Sequence, residues 1–491
     1  MMGSIKNLMV TTVSVLTLSG CVTNSNIEEY AALDAGFSTV SYKTREATNK
    51  QTVWVQNQQE AEALSKRVHG LVHKRTISVN TAVQVALLNN KGLQASYADL
   101  GMSAAQAWQQ TMLENPKISI GILGIAHPEL GAFRAIEGML ATNILALATR
   151  DKRIAIADTR FRQAQLKAAL ATLAIAGETR KAWINAVSAF ENIYYLNQAQ
   201  VAADAASELA KKLGESGALA KGGQAREHAF YSELTGQKAK ARLAAKLAKE
   251  QLTRIMGLWG TEVDYFVPDK LPRYPRKLQR KKAIESVALH KRVDLQVAKL
   301  ELEAIAQSYG LTEATRYVTD FEIIAGFEKE REIGDDGRET TTTPQVELEF
   351  VIPIFDTGKA RMRKAELAYM KAANLLAEKA INIRSEARSA YIAYRSTYQI
   401  ARHYRNNVLP LRSKIEAESL LTYNGMITNT FELLADTRAK INTIIQSVQA
   451  KREFWIADAE LTAAIYGGGG SSGSGEGGEM TVAASGGGGG H

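Results

Sequence analysis

The stretch AVQVALLNNKGLQASYA (residues 82–98) returns as IESVALHKRVDLQVAKL (residues 284–300), which sets Leu93 against Leu295 at an offset of 202. Farther along, TRKAW (179–183) matches ARSAY (387–391) and Gly217 matches Gly425, both at an offset of 208. Self-similarity at a fixed spacing marks a duplicated unit. Each half reads as a helix, a short β region, a long helix, a glycine turn and a second long helix. A six-residue insertion in the second β region accounts for the change of offset.

The eight prolines map the helices, because proline removes a donor and clashes with the preceding turn. From Asp151 to Leu213 there is no proline and only one glycine, Gly177. At 1.5 Å per residue that run is a helix about 95 Å long. Gly214, Gly217, Gly222 and Gly223 mark a turn, and Gln224 to Met256 continues as helix. A hairpin this long cannot bury itself in one compact domain, so it belongs to coiled-coil or bundle walls. Residues 257–278 hold three prolines and read as an irregular linker. Pro410, inside NNVLPLRSK, predicts a kink or break in the last hairpin.

The β regions alternate. KISIGILGI sets Ile118, Ile120 and Ile122 against smaller or polar residues, and a weaker strand is expected from about Phe133 to Ile144. In the second half DFEIIAGFEKE (320–330) and QVELEFVIPIF (345–355) read as strands, with EIGDDGRETTTTPQ between them as a polar loop. One apolar and one polar face over about 9–11 residues is the pattern of a membrane barrel strand. Four strands are too few to close a barrel, so further copies of the chain are the simplest source of the rest. No apolar run after the leader reaches the ~18–20 residues that a spanning helix needs.

The leader carries a second pattern. Lys6 precedes an apolar core, Leu8 to Leu18, and Ser19-Gly20 precede Cys21, the only cysteine in 491 residues. The run L-S-G-C resembles the lipobox of bacterial lipoproteins, which implies cleavage after residue 20 and acylation of the Cys21 thiol. A lone cysteine in an exported chain has no internal disulfide partner, which agrees with that use. The net charge of +9 would suit nucleic acid in a cytoplasmic protein. Here the charges are interspersed and read as solvated helix faces, so no nucleic-acid partner is expected.

TAVQVALLNNKGLQASYADL (81–100) with Asn115-Pro116, VIPIFDTGKARMRKAE (351–366) and YNGMITNTFELLADTR (423–438) together resemble the TolC family of outer-membrane efflux proteins. The resemblance covers about residues 78–466 and recurs in both halves. It implies a mainly α fold with a small β part: a homotrimer with a long α-helical coiled-coil barrel and a transmembrane β-barrel, four strands per protomer. The expected divisions are a signal peptide (1–20), an N-terminal segment (21–77), a first repeat (78–256), the linker (257–278), a second repeat (279–466) and a flexible Gly/Ser-rich tail (467–491). The family docks onto a periplasmic adaptor protein and an inner-membrane transporter and conducts solutes passively. With Cys21 acylated, the chain would be anchored in outer-membrane lipid.

The resemblance also assigns working parts. The glycine turns, Gly217 with Leu219 and Gly425 with Met426 and Ile427, become the tips that meet the adaptor. Glu432 and Asp436, at i,i+4 spacing, share a helix face. Turned inward in three copies, they would ring a pore constriction; turned outward, they are a solvated face. The family pattern sets an acid immediately before the alanine, where this chain has Leu434 before Ala435.

Other signals carry no chemistry. His69 and His73 lack a third metal ligand, GSGEGG (473–478) has no flanking strand and helix, and Gly358-Lys359 lacks the rest of a phosphate loop. No nucleophile–base or metal-catalytic set is present, so no enzyme activity, cofactor or resident metal is expected. The competing function is a lipid-anchored helical scaffold or adhesin that conducts nothing, and such a protein would have no need of alternating strands of membrane length.

Overall fold

The computed structural model describes residues 26–125, 133–217, 219–278, 283–334, 337–425 and 430–468. Cys21, Met426, Ile427, the leader and the tail beyond residue 468 lie outside them.

The first repeat follows three N-terminal helices: α1 (Asn26–Ala31), α2 (Phe37–Thr48) and α3 (Gln58–Val72). It contains α4 (Val79–Asn89), α5 (Lys91–Thr111), strands β1 (Lys117–Leu123) and β2 (Ala135–Asn143), a short α6 (Ile144–Ala148), and the hairpin of α7 (Arg150–Glu215) and α8 (Lys221–Met256). The second repeat contains α9 (Ile284–Lys291), α10 (Val293–Ala314), β3 (Phe321–Gly334), β4 (Gly337–Phe350), α11 (Lys359–His403), α12 (Leu409–Asn424) and α13 (Thr430–Tyr466). Helix α7 runs 66 residues without a break, about 100 Å at the helical rise.

The duplication is visible at one backbone joint. Asn90 ends α4 and starts α5 at φ −64°, ψ 120°, and its Oδ1 accepts the Leu93 N–H at 3.1 Å, satisfying one of the donors that every helix start leaves free. Its amide donates to the Ile255 carbonyl at 2.8 Å, which ties the joint to the end of α8. Arg292, the aligned residue, separates α9 from α10 at φ −65°, ψ 117°. There the guanidinium grips Asp294 through two N–H groups at 2.9 and 3.0 Å and reaches Glu386 on α11. Lys379 stands 3.5 Å from Asp294. The bend is conserved between the halves while the chemistry that holds it is not.

The core is strung out rather than central. One apolar cluster joins α1, α2, α4 and α5 to the first half of α7 through Phe161, Leu173 and Tyr97. A second joins α3, α4 and the end of α8 around Trp183 of α7, whose indole N–H donates to the Ile77 carbonyl at 3.0 Å. A third packs α9, α11 and α13 around Phe454. A fourth, smaller one holds Leu196 and Ala203 against Leu234 far along the first hairpin. Residues 257–278 are irregular apart from a 3-10 turn at Gly260–Val263, yet they are also packed. Tyr265 and Leu271 are buried, Thr76 bridges Phe266, and Glu191 of α7 accepts the Leu271 N–H at 2.8 Å.

The four strands form one antiparallel sheet in the order β1-β2-β3-β4, so the β2–β3 seam joins the two repeats. The second hairpin departs from the sequence expectation. Residues 337–345, read as part of a polar loop, are strand paired with Gln345↔Gly326 through Gly337↔Gly334, and pairing stops at Phe350 rather than at Phe355. Threonine favours a pleated strand, and the run Thr340–Thr343 needs no core to stay extended once β3 supplies its ladder. The six-residue insertion is also spread out. Lys117 and Phe321 are 204 positions apart and Asn143 and Phe350 are 207 apart, so extra residues accumulate before and within the hairpin. At Pro410 the helix opens into a π turn, Tyr404–Val408, in which the Leu409 N–H reaches the Tyr404 carbonyl. Pro410 has no N–H for the Asn406 carbonyl, and the widened turn absorbs that missing bond.

Burial opposes the charge on Asp294, but the hydrogen bonds and charge of Arg292, with Lys379, outweigh it and hold the carboxyl below its ordinary value of 3.8. The folded-state pKa is depressed, so the stabilisation is present above the unfolded value and is lost as pH falls through the folded one. Asp294→Asn should therefore lower the thermal midpoint at neutral pH and flatten its fall below pH 3.8, followed by circular dichroism. An acid limb identical to wild type would show that Asp294 does not carry it.

Candidate functional site

Register divides the sheet into two chemically opposite faces. Paired residues of an antiparallel sheet share a face, and successive residues alternate. On one face lie Ile118, Ile120, Ile122, Leu140, Ile323, Phe327, Val346, Leu348 and Phe350. The isoleucines of β1 and the three apolar residues of β4 are each more than half exposed. The other face holds Glu137, Glu322, Glu328, Glu330, Glu332, Glu339, Glu347 and Glu349, and no carboxylate of the four strands lies on the apolar face. Lys117 is the one cation in the strands of the acidic face and pairs with Glu322 at 3.0 Å. Gly326 allows the β2–β3 seam to close, since a Cβ there would meet the Gly138 carbonyl oxygen at 2.3 Å. Both edges, β1 and β4, are left without a strand neighbour among the described residues. No helix among them is long and apolar enough to cross a membrane.

At the opposite end of the chain the hairpins turn. Gly217 takes φ 75°, a conformation that favours glycine, and the Leu219 N–H closes the turn on the Leu213 carbonyl at 3.0 Å. The Leu219 side chain is buried. Gly425 sits at φ −79°, ψ 3°, which any residue can adopt, so the two matched glycines are not conformational equivalents. The two acids expected at a constriction also differ. Glu432 is exposed, whereas Asp436 is half-buried and accepts a hydrogen bond from the Ser419 hydroxyl of α12.

Sequence reasoning missed the contact that joins the two hairpins nearest their tips. Arg438 of α13 pairs with Glu227 of α8 at 2.9 Å, the carboxylate side chain is 4% exposed, and the guanidinium stacks 4.2 Å from the Phe230 ring. Lys440, two residues farther on, pairs with Glu416 of α12. The alternation of Val346, Leu348 and Phe350 with Glu347 and Glu349 made a polar face legible, whereas Glu332 falls in the stretch that reads as loop. Arg438–Glu227 had no sequence signal, as 211 residues separate the partners. His69 and His73 stack with ring centroids 4.4 Å apart, and the His73 Nδ1 contacts the Thr261 carbonyl. Gly358, at φ 72°, starts α11 with its N–H on Asp356, which makes it part of a helix cap.

No family model matches the chain, and no curated protein matches it in sequence. Solved structures do match in shape. CusC, described in work on folding and transmembrane channel formation, superposes with a TM-score of 0.66 at 14% identity over 79% of this chain and 92% of its own. The chain has a TolC-like fold, shared with solved outer-membrane channels. The CmeC outer membrane channel of Campylobacter jejuni shares the fold at TM-score 0.65 and 16% identity, over 80% of this chain and 86% of its own. The MtrE outer membrane channel of Neisseria gonorrhoeae, in its open state, shares it at 0.59 and 14%, over 79% and 89%. At such identities the likeness establishes the channel fold, and side-chain roles must be argued from this chain.

Arg438→Ala should free the tip of the second hairpin from the first. Breaking a buried pair costs about 3–5 kcal/mol; Arg438 is partly exposed, so a loss of roughly 1–3 kcal/mol is expected. Amide exchange over residues 430–440 should accelerate at least several-fold. Unchanged exchange would mean the pair does not hold the hairpins together.

Proposed function

We propose that three copies of this chain close a twelve-stranded barrel in the outer membrane, above a helical tube through the periplasm, and that solutes leave through it passively. The observation that carries this reading is the sheet: an exposed apolar face, an acidic face and two unpaired edges, mounted on helical hairpins about 100 Å long. Lipid covers the apolar face, and the acidic face lines the exit. The tube receives cargo from a periplasmic adaptor and an inner-membrane transporter through the tips at Gly217, Leu219, Gly425, Met426 and Ile427. Uncovered apolar side chains on the helices, including Leu243, Leu247, Ile381 and Ile392, suit contacts with neighbouring copies. Glu432 faces the bore near the tip in this reading, while Asp436 is occupied with Ser419. The repeats, linker and tail keep the boundaries given above, and Cys21 carries a lipid that tethers the mature chain.

The purified protein should form a heat-labile trimer and conduct ions in planar bilayers with a preference for cations, since rings of carboxylates raise local cation concentration. Glu328→Gln combined with Glu347→Gln should lower the cation-to-anion permeability ratio without dissociating the trimer. A trimer that inserts but passes no current would favour a non-conducting scaffold. Cys21→Ser should abolish incorporation of radiolabelled fatty acid; a labelled band of wild-type intensity would exclude acylation at this residue.

A further inference from the structure

The outward face of the sheet changes character along its length. On β3 it runs Phe321, Ile323, Ala325 and Phe327, and then Lys329 and Arg331. On β2 it runs Leu140, Gly138 and Ile136, and the residue beyond the strand is Arg134. The Arg331 N–H donates to the Arg134 carbonyl at 2.9 Å, so the two arginines stand opposite one another across the β2–β3 seam. Lys329 precedes Arg331 by two residues on the same face, about 7 Å away along the strand. Arg134 and Arg331 share one level, Lys329 lies one side-chain repeat nearer the apolar band beside Ile136, and Ile333, paired with Arg338, continues the face beyond them; no carboxylate of the strands lies on this face.

Like charges directly opposite across a strand pair are destabilising. Among the described residues the surroundings relieve this only in part. Arg134 reaches around the strand end to Glu330 at 3.4 Å, with 59% of its side chain still exposed. Arg331 is half-buried and stacks its guanidinium 3.9 Å from the Phe133 ring. Lys329 is exposed and has no ion-pair partner among the described residues. An aromatic ring beside the end of an apolar band is also what marks a membrane–water boundary. This end lies away from the helices and so faces the outer leaflet.

We propose that Arg134, Lys329 and Arg331 form a binding site for the phosphate groups of an outer-leaflet lipid headgroup. Arginine presents a planar fork that matches phosphate oxygens, and lysine adds a mobile point charge. A phosphomonoester at the centre of the triangle neutralises the opposed arginines and fixes the depth of the barrel in the bilayer. This assignment rests on the membrane placement given under the proposed function, and its test separates the two.

The trimer would be inserted into vesicles of phosphatidylcholine with and without diphosphoryl lipid A, then extracted and washed, and its retained lipid A measured by mass spectrometry. Wild type should retain lipid A, with retention falling as salt rises. The triple variant Arg134→Gln, Lys329→Gln, Arg331→Gln should retain roughly tenfold less while staying trimeric. Lys117→Gln, on the opposite face, should behave as wild type. Equal retention of dephosphorylated lipid A, or no difference between the triple variant and wild type, would overturn the assignment while leaving the channel reading intact. Failure to insert into any vesicle would overturn both.

Discussion

A bilayer offers no water to a backbone N–H, and under the proposed function this constraint governs the sheet. The sheet has four strands, an apolar face and two open edges, and in lipid each open edge would strand a row of donors and acceptors at several kcal/mol per group. In the proposed assembly, closure with further copies satisfies those groups and uses both faces. Other parts of the fold then follow. The apolar side chains left uncovered on the hairpins suit neighbouring copies. The acidic face is tolerable because a closed ring can surround it with water, where like charges are screened. A cluster of carboxylates this dense would be costly anywhere less wet.

The two repeats solve a shared geometric problem by different chemistry. Both need a bend of the same backbone shape between their first two helices. Asn90 makes it with a short amide that caps one helix and reaches into the next layer. Arg292 makes it with charge, recruiting Asp294, Glu386 and Lys379 from two helices. Duplication preserved the path of the chain while the residues holding it diverged, which is why the repeat is detectable at Leu93 and Leu295 and blurred between them.

Much of the fold was legible because it rests on local periodicity. Helix α7 announced itself by the lack of proline over more than sixty residues, and β1 by three isoleucines spaced by two. Where the sequence misled, tertiary pairing overrode local composition. The threonine-rich run 340–343 looks like a loop alone and is strand because β3 lies beside it. Residues 351–355 look like strand and lack pairing because β3 begins only at Phe321. The candidate site was half-readable. Glycine turns and alternating glutamates leave a pattern, but Arg438 with Glu227, and Asp436 with Ser419, depend on which helices meet. Gly425 shows that a matched position does not guarantee a matched conformation.

The π turn at Tyr404–Val408 gives the second hairpin a property that the first lacks. One extra residue in a helix advances everything downstream by about 100° about the axis. The side chains of α12 are therefore out of phase with those of α11, although both helices pack against α13. Its counterpart α7 carries a single phase from end to end. The first hairpin is thus an unbroken stave and the second a jointed one, with the joint the place where a helix kinks most readily.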